Sequence, residues 1–258
     1  MIDVKSVYFR YKKDWVLKDI SLQIKKGEFL GIIGPNGSGK TTLLKILYRL
    51  ISPEKGEVML KEFPLRRMDR KDIARRVAVV AQETHLLFPF RVIEIVLMGR
   101  HPYLGYFMFE TKKDLEIAKK AMEWTEIISL SDRFIDELSG GERKRVFIAR
   151  ALAQEPEIIL LDEPTANLDI HHQMDFLNLI KNLNKEKGLT IIMASHDMNI
   201  ASEFCDRLIL LQEGKIFKIG TPQEVITKEN IERVYGCKVL VDKNPFSGSP
   251  RVNLIRNI

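Results

Sequence analysis

Residues 27–47 read GEFLGIIGPNGSGKTTLLKIL, and this stretch predicts the fold of the region around it. An apolar run leads into the pattern Gly34-x-x-x-x-Gly39-Lys40-Thr41, and apolar residues then recur at helical spacing. Glycines let backbone N–H groups turn toward phosphate oxygens, and the following helix N-terminus adds its positive end. In this pattern the lysine reaches the outer phosphates and the threonine ligates Mg²⁺. A chance glycine turn would not require this strand-to-helix context, so a phosphate loop is predicted before a helix beginning near Lys40.

Other apolar runs predict the strands of a sheet that is mainly parallel and buried on both faces. The runs RVAVVAQ, EIILLDEP and LTIIMASH each end in polar residues, and the run DRLILLQEG follows them; they occupy residues 76–82, 157–164, 189–196 and 206–214. Ligands of open α/β folds bind at the carboxyl ends of such strands. We therefore expect Gln82 and His196 near the phosphate loop, although either side chain alone also fits a purely structural role.

Two adjacent carboxylates follow the strand at residues 158–161. Adjacent residues at a strand end point apart, so Asp162 and Glu163 can divide the work. Asp162 is placed to hold Mg²⁺ through water, and Glu163 to accept a proton from the attacking water as a general base. A surface carboxylate at the strand end is the alternative interpretation for Glu163.

Composition predicts a globular protein without a membrane span. The 258 residues are 45% apolar and 29% charged, and no charge-free apolar stretch reaches the roughly 20 residues that cross a bilayer. Cys205 and Cys237 lack a metal-type spacing, and the N-terminal residues lack the apolar core of a signal peptide. The net charge of +6 comes from runs of mixed sign, and no nucleic-acid-binding motif is present. We expect a cytoplasmic chain that does not bind nucleic acid.

A second glycine-rich helix start is predicted at residues 138–153, which read LSGGERKRVFIARALA. Ser139 and Glu142 have the spacing of a capping box, which accounts for both residues. It does not account for Gly140 and Gly141, because a glycine costs about 1 kcal/mol relative to alanine inside a helix. The pair favours a ligand that comes close to bare backbone. A second anion contact is therefore indicated, although the chain has one phosphate loop.

Taken together, these motifs resemble those of the ATP-binding subunit of an ATP-binding cassette (ABC) transporter, in the family's order. The matching segments are GPNGSGKT (34–41) for Walker A, Gln82 for the Q-loop, LSGGE (138–142) for the signature, IILLDE (158–163) for Walker B, ANLD (166–169) for the D-loop and His196 for the switch histidine. The chain departs from the family at Glu142, where glutamine is commonest, and at Lys144, where close relatives often have glutamine.

The resemblance implies an α/β P-loop ATPase that binds ATP and Mg²⁺. The fold would have a mixed core sheet flanked by helices, an N-terminal antiparallel β-subdomain and an inserted helical subdomain. Two cassettes would lie head to tail, so that the signature of one seals the γ-phosphate held by the other. The implied nucleotide contacts are Tyr11, Gly34, Pro35, Asn36, Gly37, Ser38, Gly39, Lys40, Thr41, Thr42, Ser139, Gly140, Gly141 and Glu142; the implied metal ligands are Thr41, Gln82 and Asp162; the implied catalytic residues are Lys40, Gln82, Glu163 and His196.

Two assignments stay open between alternatives. Tyr11 matches the aromatic residue that stacks on adenine in the family, but Trp15 is a rival, and a strand-edge tyrosine is the structural alternative. His171 and His172 suggest a metal pair, but adjacent helical residues do not share a face, which argues against joint ligation.

The predicted organisation is one ABC ATP-binding domain over residues 1–258. Its RecA-like core covers about 1–82 and 157–220, the helical subdomain about 83–156, and a C-terminal extension about 221–258, which reads as helices followed by a strand, a turn and a strand. Residues 83–109 are rich in apolar and aromatic residues and are expected to contain a docking groove for transmembrane partners. The alternative is the core of the helical insertion, which fits Val92 to Met98 better than Tyr103 to Phe109.

The expected role is ATP hydrolysis that drives import. The expected partners are a second ATPase subunit, polytopic permease subunits and, indirectly, an extracytoplasmic substrate-binding protein, with the chain at the cytoplasmic face of the membrane. Residues 90–105 and the ending at residues 220–252 resemble the cassettes of importers for iron chelates, haem and cobalamin. Importers of other metals or oxyanions remain alternatives, as does a soluble ABC ATPase without a transport role. A small-molecule P-loop kinase would have no use for the signature helix.

Overall fold

The computed structural model describes residues 1–82, 88–105 and 109–255. The chain divides into two compact units. Unit 1 contains Met1–Met68 and Thr190–Ile258, and unit 2 contains Asp69–Leu189. Unit 1 is therefore assembled from both ends of the chain, whereas unit 2 is one continuous segment. The sequence-based subdomain boundaries stay a prediction beside this division.

The first part of unit 1 contains an antiparallel sheet and the predicted strand-to-helix segment. Its elements are β1 (Ile2–Arg10), β2 (Trp15–Ile24), β3 (Phe29–Ile33), α1 (Lys40–Leu47), β4 (Lys55–Leu60) and β5 (Phe63–Pro64). The antiparallel sheet has the order β2-β1-β4-β5. The predicted N-terminal antiparallel β-subdomain is therefore confirmed, and so is the helix that begins at Lys40.

Unit 2 combines a strand pair with a group of helices. Its elements are α2 (Arg70–Ala74), β6 (Val77–Val80), α3 (Val92–Leu97), α4 (Lys112–Trp124), α5 (Gly140–Ala153), β7 (Ile158–Asp162) and α6 (Ile170–Lys187). Strands β6 and β7 are parallel. Helices α3, α4 and α5 pack against one another and bury Ile95, Ala118, Met122 and Ile148. These packed helices confirm the inserted helical subdomain.

The chain then returns to unit 1. The remaining elements are β8 (Thr190–Ala194), α7 (Met198–Phe204), β9 (Arg207–Gln212), β10 (Lys215–Gly220), α8 (Pro222–Val225), α9 (Lys228–Tyr235), β11 (Val239–Lys243) and β12 (Pro250–Leu254). Strand β3 lies between β8 and β9 and is parallel to both, while β10 is antiparallel to β9. All five residues of β3 are buried, as expected for an inner strand covered on both faces. The predicted mixed sheet is confirmed.

The C-terminal strand pair is fastened to α7. Strands β11 and β12 form an antiparallel hairpin. The Asn199 side chain accepts from the Val252 N–H at 2.8 Å and donates to the Val252 carbonyl at 3.2 Å, and the Ser202 hydroxyl donates to the Pro250 carbonyl at 2.7 Å. The predicted strand, turn and returning strand are thus present, and polar side chains of α7 hold β12 in place.

In the part of the chain that the structure describes, no helix combines the length and apolar character needed to cross a membrane.

Candidate functional site

The phosphate loop, residues 34–41, connects the end of β3 to the start of α1. Gly39 has φ +107° and Gly34 has φ +149°, in a region that side chains other than glycine rarely adopt. A Cβ atom on Gly39 would lie 2.6 Å from Leu17 Cδ2 and 3.2 Å from the Val16 carbonyl oxygen, and one on Gly34 would overlap the Leu211 carbonyl. Both glycines are therefore required by the backbone path of the loop and by its close neighbours on β2 and β9.

Three features of the phosphate loop fit a polyphosphate ligand. The Ser38 hydroxyl is buried and has no hydrogen-bond partner among the residues that the structure describes. The Lys40 side chain is buried, and its Nζ donates to the carbonyls of Gly34 at 2.8 Å and Pro35 at 3.2 Å, so the ammonium group lies across the loop. Among the described residues no side chain caps α1, and its first N–H groups have no acceptor within the helix. The loop thus offers a hydroxyl, an ammonium group and backbone N–H donors to an anion.

His196 lies at the same end of the unit 1 sheet as the phosphate loop. Ile32 of β3 is paired with Ala194 of β8 in a parallel register, and the Ser195 N–H donates to the Ile32 carbonyl at 3.0 Å. His196 follows directly and is exposed. Unit 1 therefore brings together the phosphate loop and His196, as the strand ends predict.

Gln82 and the two carboxylates lie at one end of the β6–β7 pair in unit 2. Val80 is paired with Leu161, Gln82 comes two residues after Val80, and Asp162 comes directly after Leu161. The Gln82 carbonyl accepts from the Lys144 ammonium group at 3.0 Å. Lys144, which stands where close relatives often have glutamine, thereby connects α5 to the backbone of Gln82.

Glu163 has an unusual backbone conformation. Strand β7 ends at Asp162, and Glu163 has φ +47°, while its carbonyl accepts from the Ala166 N–H at 3.2 Å. A non-glycine residue in this region costs of order 1 to 3 kcal/mol, and such residues concentrate at functional sites. The backbone therefore turns immediately after Asp162, at the position of the expected general base.

The start of α5 is a capping box. The Ser139 hydroxyl accepts from the Glu142 N–H at 3.3 Å, and the Glu142 carboxylate accepts from the Ser139 N–H at 2.8 Å. The pKa of Glu142 is lowered mainly because its carboxylate accepts hydrogen bonds from Ser139, first from the backbone N–H and then from the side chain. Ser139 and Gly140 are exposed at the tip of the helix. The predicted capping is present, and the first N–H groups of α5 point out of the helix end.

The two aromatic candidates for adenine stacking differ in their surroundings. Tyr11, in the turn between β1 and β2, is 56% exposed, and its ring makes an edge contact with Phe9 at 4.8 Å between centroids. Trp15 already has the Arg10 guanidinium 4.7 Å from its ring centroid and the edge of Tyr8 at 5.6 Å. The geometry favours Tyr11, because its ring has a larger open surface.

His171 and His172 do not form a metal site in the described residues, which contain no group of three or more His, Cys, Asp and Glu side chains suited to a metal. His172 Nδ1 lies 2.7 Å from Asp169 Oδ2, while His171 Nε2 lies 3.5 Å from Asp175 Oδ2. Each imidazole is therefore held by its own carboxylate.

Comparison with known proteins identifies the family. A family model described as ABC transporter matches residues 17–166, more than half of the chain. The chain belongs to the ABC transporter family. It is 44% identical over 242 residues to the ferric enterobactin transport ATP-binding protein FepC of Escherichia coli (strain K12), covering 94% of this chain and 89% of FepC. It is 36% identical to the petrobactin import ATP-binding protein FpuC of Bacillus anthracis, covering 98% of this chain and 94% of FpuC.

A solved structure supports the same conclusion. The dimeric, post-hydrolysis structure of an ATP-binding cassette bound to ADP and Pi has a TM-score of 0.74 and 32% identity, covering 86% of this chain and 98% of that chain. The predicted resemblance and fold class are confirmed, and the chain is an ATP-binding, ATP-hydrolysing ABC subunit.

The segment expected to dock to transmembrane partners divides into a buried and an exposed part. In this ABC ATPase, Val92, Ile95 and Val96 are fully buried, so α3 belongs to the core of the helical insertion. Phe88 is 67% exposed and Phe109 is 88% exposed. Residues 83–87 and 106–108 of the predicted segment lie outside the described residues. An apolar surface is thus present at both ends of the segment rather than along α3.

Arg100 is a buried charge that the sequence interpretation did not single out. Its guanidinium bonds Asp114 at 2.9 Å, the Ala153 carbonyl at 2.6 Å and Glu155 at 2.9 Å, and it stacks 4.0 Å from the Tyr103 ring centroid. Hydrogen bonds from Thr111, followed by the bond from Arg100, lower the pKa of Asp114 to about 2. Arg100 thereby joins the segment after α3 to α4 and to the end of α5.

Proposed function

We propose that this ABC ATPase powers the uptake of an iron chelate. The observation that carries the proposal is the 44% identity with FepC, which extends over 94% of this chain. The name of that relative describes transport of a ferric chelate. Haem and cobalamin are the alternative substrates within the same resemblance, and another metal or an oxyanion is the next alternative.

The nucleotide site is proposed from the residues at the strand ends. ATP binds along residues 34–42, with Lys40 at the outer phosphates. Thr41, Gln82 and Asp162 hold Mg²⁺, which when bound neutralises charge on the phosphate oxygens. Glu163 accepts the proton of the attacking water, and His196 hydrogen-bonds the terminal phosphate. The buried Ser38 hydroxyl, which has no hydrogen-bond partner in the described part of the chain, and the left-handed backbone of Glu163 support these assignments.

A second copy of the chain completes the site in this proposal. Ser139, Gly140, Gly141 and Glu142 of one copy contact the nucleotide held by the phosphate loop of the other. Such a shared ligand closes the dimer, because its negative charge gains donors from both chains. The exposed helix start at Gly140 supports this arrangement. Tyr11 stacks on the adenine, for which its large exposed ring surface is the support.

Permease subunits receive the motion in this proposal. We infer that exposed aromatic residues at the two ends of the docking segment, Phe88 and Phe109, contact polytopic membrane subunits. The ATPase then lies at the cytoplasmic face of the membrane, and an extracytoplasmic substrate-binding protein delivers the chelate to the permease. Nucleic acid has no part in this function.

The first experiment tests the shared nucleotide site with Glu163→Gln. We expect ATP turnover to fall about 10²- to 10³-fold, as when one group aimed at the reacting centre is lost. ATP binding should remain, because the amide keeps the shape of the carboxylate, and a closed dimer should accumulate with ATP and Mg²⁺ in size-exclusion chromatography. Glu116→Gln, at an exposed position of α4, is the matched control. A Glu163→Gln variant that stays monomeric at saturating ATP would refute the shared site.

The second experiment tests transport. The chain is expressed with the permease genes that neighbour its own, and uptake of a ferric chelate labelled with ⁵⁵Fe is measured in membrane vesicles. ATP-dependent uptake that disappears with Glu163→Gln supports the proposal. Co-purification with the permease but uptake of cobalamin or an oxyanion instead would replace the substrate class, and failure to co-purify with any membrane subunit would favour a soluble ABC ATPase.

A further inference from the structure

The two glycines of the signature have different surroundings in their own chain. A Cβ atom on Gly141 would overlap the His172 ring, lying 3.1 Å from Cγ and 3.3 Å from Nε2 in addition to a closer approach to Cδ2. A Cβ atom on Gly140 would meet only Leu168 Cδ2 at 3.8 Å, an ordinary contact. In its own chain, a side chain at position 141 would therefore require the His172 ring to move, whereas one at position 140 would not.

The His172 ring that occupies this space is held in place by Asp169. Asp169 caps α6, accepting from the His172 N–H at 2.9 Å through Oδ1. Its other oxygen, Oδ2, lies 2.7 Å from His172 Nδ1. The two hydrogen bonds from His172, backbone first, lower the pKa of Asp169. An ionised carboxylate only accepts hydrogen bonds, so Nδ1 is the donor in this pair. Both oxygens of one carboxylate thus fix the backbone and the ring of the same residue.

The contact joins two segments that are distant in the sequence. His172 lies in the first turn of α6, directly after the segment 166–169, and Gly141 lies in the first turn of α5. Glu142, beside Gly141, is already engaged with Ser139. His171 is paired with Asp175 and takes no part. One side of the α5 start is therefore supported by the imidazole, while the exposed side at Gly140 is open.

We infer that Asp169 and His172 are a positioning pair for the signature. Asp169 orients the imidazole, and the imidazole packs against Gly141 and fixes the direction in which the first N–H groups of α5 point. His172 does not touch nucleotide; it acts through Gly141. The inference rests on the proposed function, since the N–H groups so directed are those that seal the nucleotide of a second copy.

The test is a size-exchange experiment at positions 141 and 172, carried out in the Glu163→Gln background. We measure the ATP-dependent dimer fraction, the affinity of the monomer for a fluorescent ATP analogue, and thermal unfolding. His172→Ala should weaken dimer formation about tenfold, whereas monomer affinity should change less than twofold, because His172 acts through Gly141 and is not itself a nucleotide contact in this proposal. Equal losses of both quantities, or of neither, would overturn the inference.

The coupling between the two positions is the decisive quantity. Gly141→Ala should lower dimer formation by about tenfold or more, and adding His172→Ala should restore at least threefold of that loss, since the ring no longer meets the new methyl group. Losses that simply multiply would show that Gly141 and His172 act independently. His172→Phe keeps a ring, whereas His172→Asn can keep only the bond to Asp169. His172→Phe should therefore retain a larger ATP-dependent dimer fraction than His172→Asn.

Gly140→Ala separates this inference from the proposed function. Gly140→Ala should reduce the ATP-dependent dimer by the same factor whether residue 172 is His or Ala, because a Cβ atom at position 140 makes only an ordinary contact in its own chain. Normal dimer formation by Gly140→Ala would defeat the shared nucleotide site. In that case the coupling of positions 141 and 172 is still measured in thermal unfolding, where rescue supports the packing contact and its absence overturns it.

Discussion

The phosphate loop and the signature are both glycine-rich helix starts, but the structure builds them differently. At α1 the cap position is Gly39 in a left-handed conformation, and no side chain among the described residues caps the helix. At α5 a complete capping box holds Ser139 and Glu142. The loop before α1 offers a buried hydroxyl, an ammonium group and backbone N–H groups of its own chain, whereas the start of α5 is already capped and is exposed at Ser139 and Gly140. The first suits a ligand bound by this chain, and the second suits a ligand that arrives bound to another molecule.

The largest effect is expected where α5 is anchored at its far end. Arg100→Met removes a buried cation that bonds Asp114 and the Ala153 carbonyl, so that the Asp114 carboxylate keeps its hydrogen bonds from Thr111 but loses its ionic partner. We expect the free energy of unfolding to fall by about 3 to 5 kcal/mol in urea titrations. Lys112→Met, at an exposed position of α4, is the control and should change it by about 0.5 kcal/mol at most. An Arg100→Met variant as stable as this control would mean that α5 is held without the anchor.

The next prediction concerns the phosphate loop. Lys40→Ala removes the ammonium group that lies across the phosphate loop. The free-energy barrier to ATP hydrolysis should therefore rise by about 3 to 4 kcal/mol, and turnover should fall accordingly. Monomer affinity for ATP should fall as well, in contrast to Glu163→Gln. Lys45→Ala, one turn further along α1, should leave both unchanged. Wild-type affinity in Lys40→Ala, measured by equilibrium dialysis, would contradict the proposed role.

Gly39→Ala sharpens the difference between the two helix starts. The backbone at position 39 is left-handed, which strains an alanine, and the added methyl group would lie 2.6 Å from Leu17 Cδ2. We therefore expect a loss of about 2 to 3 kcal/mol in stability. Gly37→Ala has the same backbone penalty, with φ +78°, but nothing lies within 4 Å of the new atom. It should therefore lose about half as much. Equal losses would show that backbone strain alone decides these positions.

A smaller effect is expected at the start of α5. Ser139→Ala removes the cap of α5 and should lower stability by about 1 kcal/mol. If the start of α5 seals a second copy's nucleotide, ATP-dependent dimer formation should fall by more than this loss of stability explains. Thr111→Ala, which removes the equivalent cap of α4, is matched in stability loss and should spare the dimer. Parallel losses in both variants would indicate a cap without a binding role.

The smallest effect is a dependence on pH. Hydrogen bonds from Ser139 hold the pKa of Glu142 below its ordinary 4.5 in the folded chain. The stabilisation is therefore complete above pH 4.5 and is lost as the pH falls through the lower folded value. Glu142→Gln should flatten this part of the stability profile, measured by thermal unfolding between pH 3 and 6. An unchanged profile would show that the Glu142 carboxylate does not contribute.

Much of the fold and site follows from local sequence signals. The phosphate loop, the capping box and the polar residues after the strands are recognisable because each pattern lies within about ten residues. The contact between Gly141 and His172 joins positions 31 residues apart, and no local pattern announces it. The sequence pattern gives Gly140 and Gly141 the same interpretation, as space for a ligand. In the structure, the His172 ring occupies the space beside Gly141.

Other features needed the tertiary structure for the same reason. Arg100 looks like a surface arginine in the sequence, and its burial depends on Asp114, Ala153 and Glu155 from two other helices and their flanks. The positive φ of Glu163 was not predicted either, because glutamate has no local preference for that conformation. The choice of Tyr11 over Trp15 depends on Arg10, whose side chain covers the indole.

The placement of β3 between β8 and β9 has a consequence for biosynthesis. Strand β3 is complete at residue 33, but its second partner begins at residue 207, after 207 − 33 = 174 further residues. At ribosomal rates of about 5 to 20 residues per second, this fully apolar strand waits roughly 9 to 35 s for that neighbour. Unit 2, being continuous, is not subject to such a delay. We therefore expect nascent chains of this protein to expose an apolar segment through most of translation, and hence to bind a chaperone that recognises extended apolar peptides.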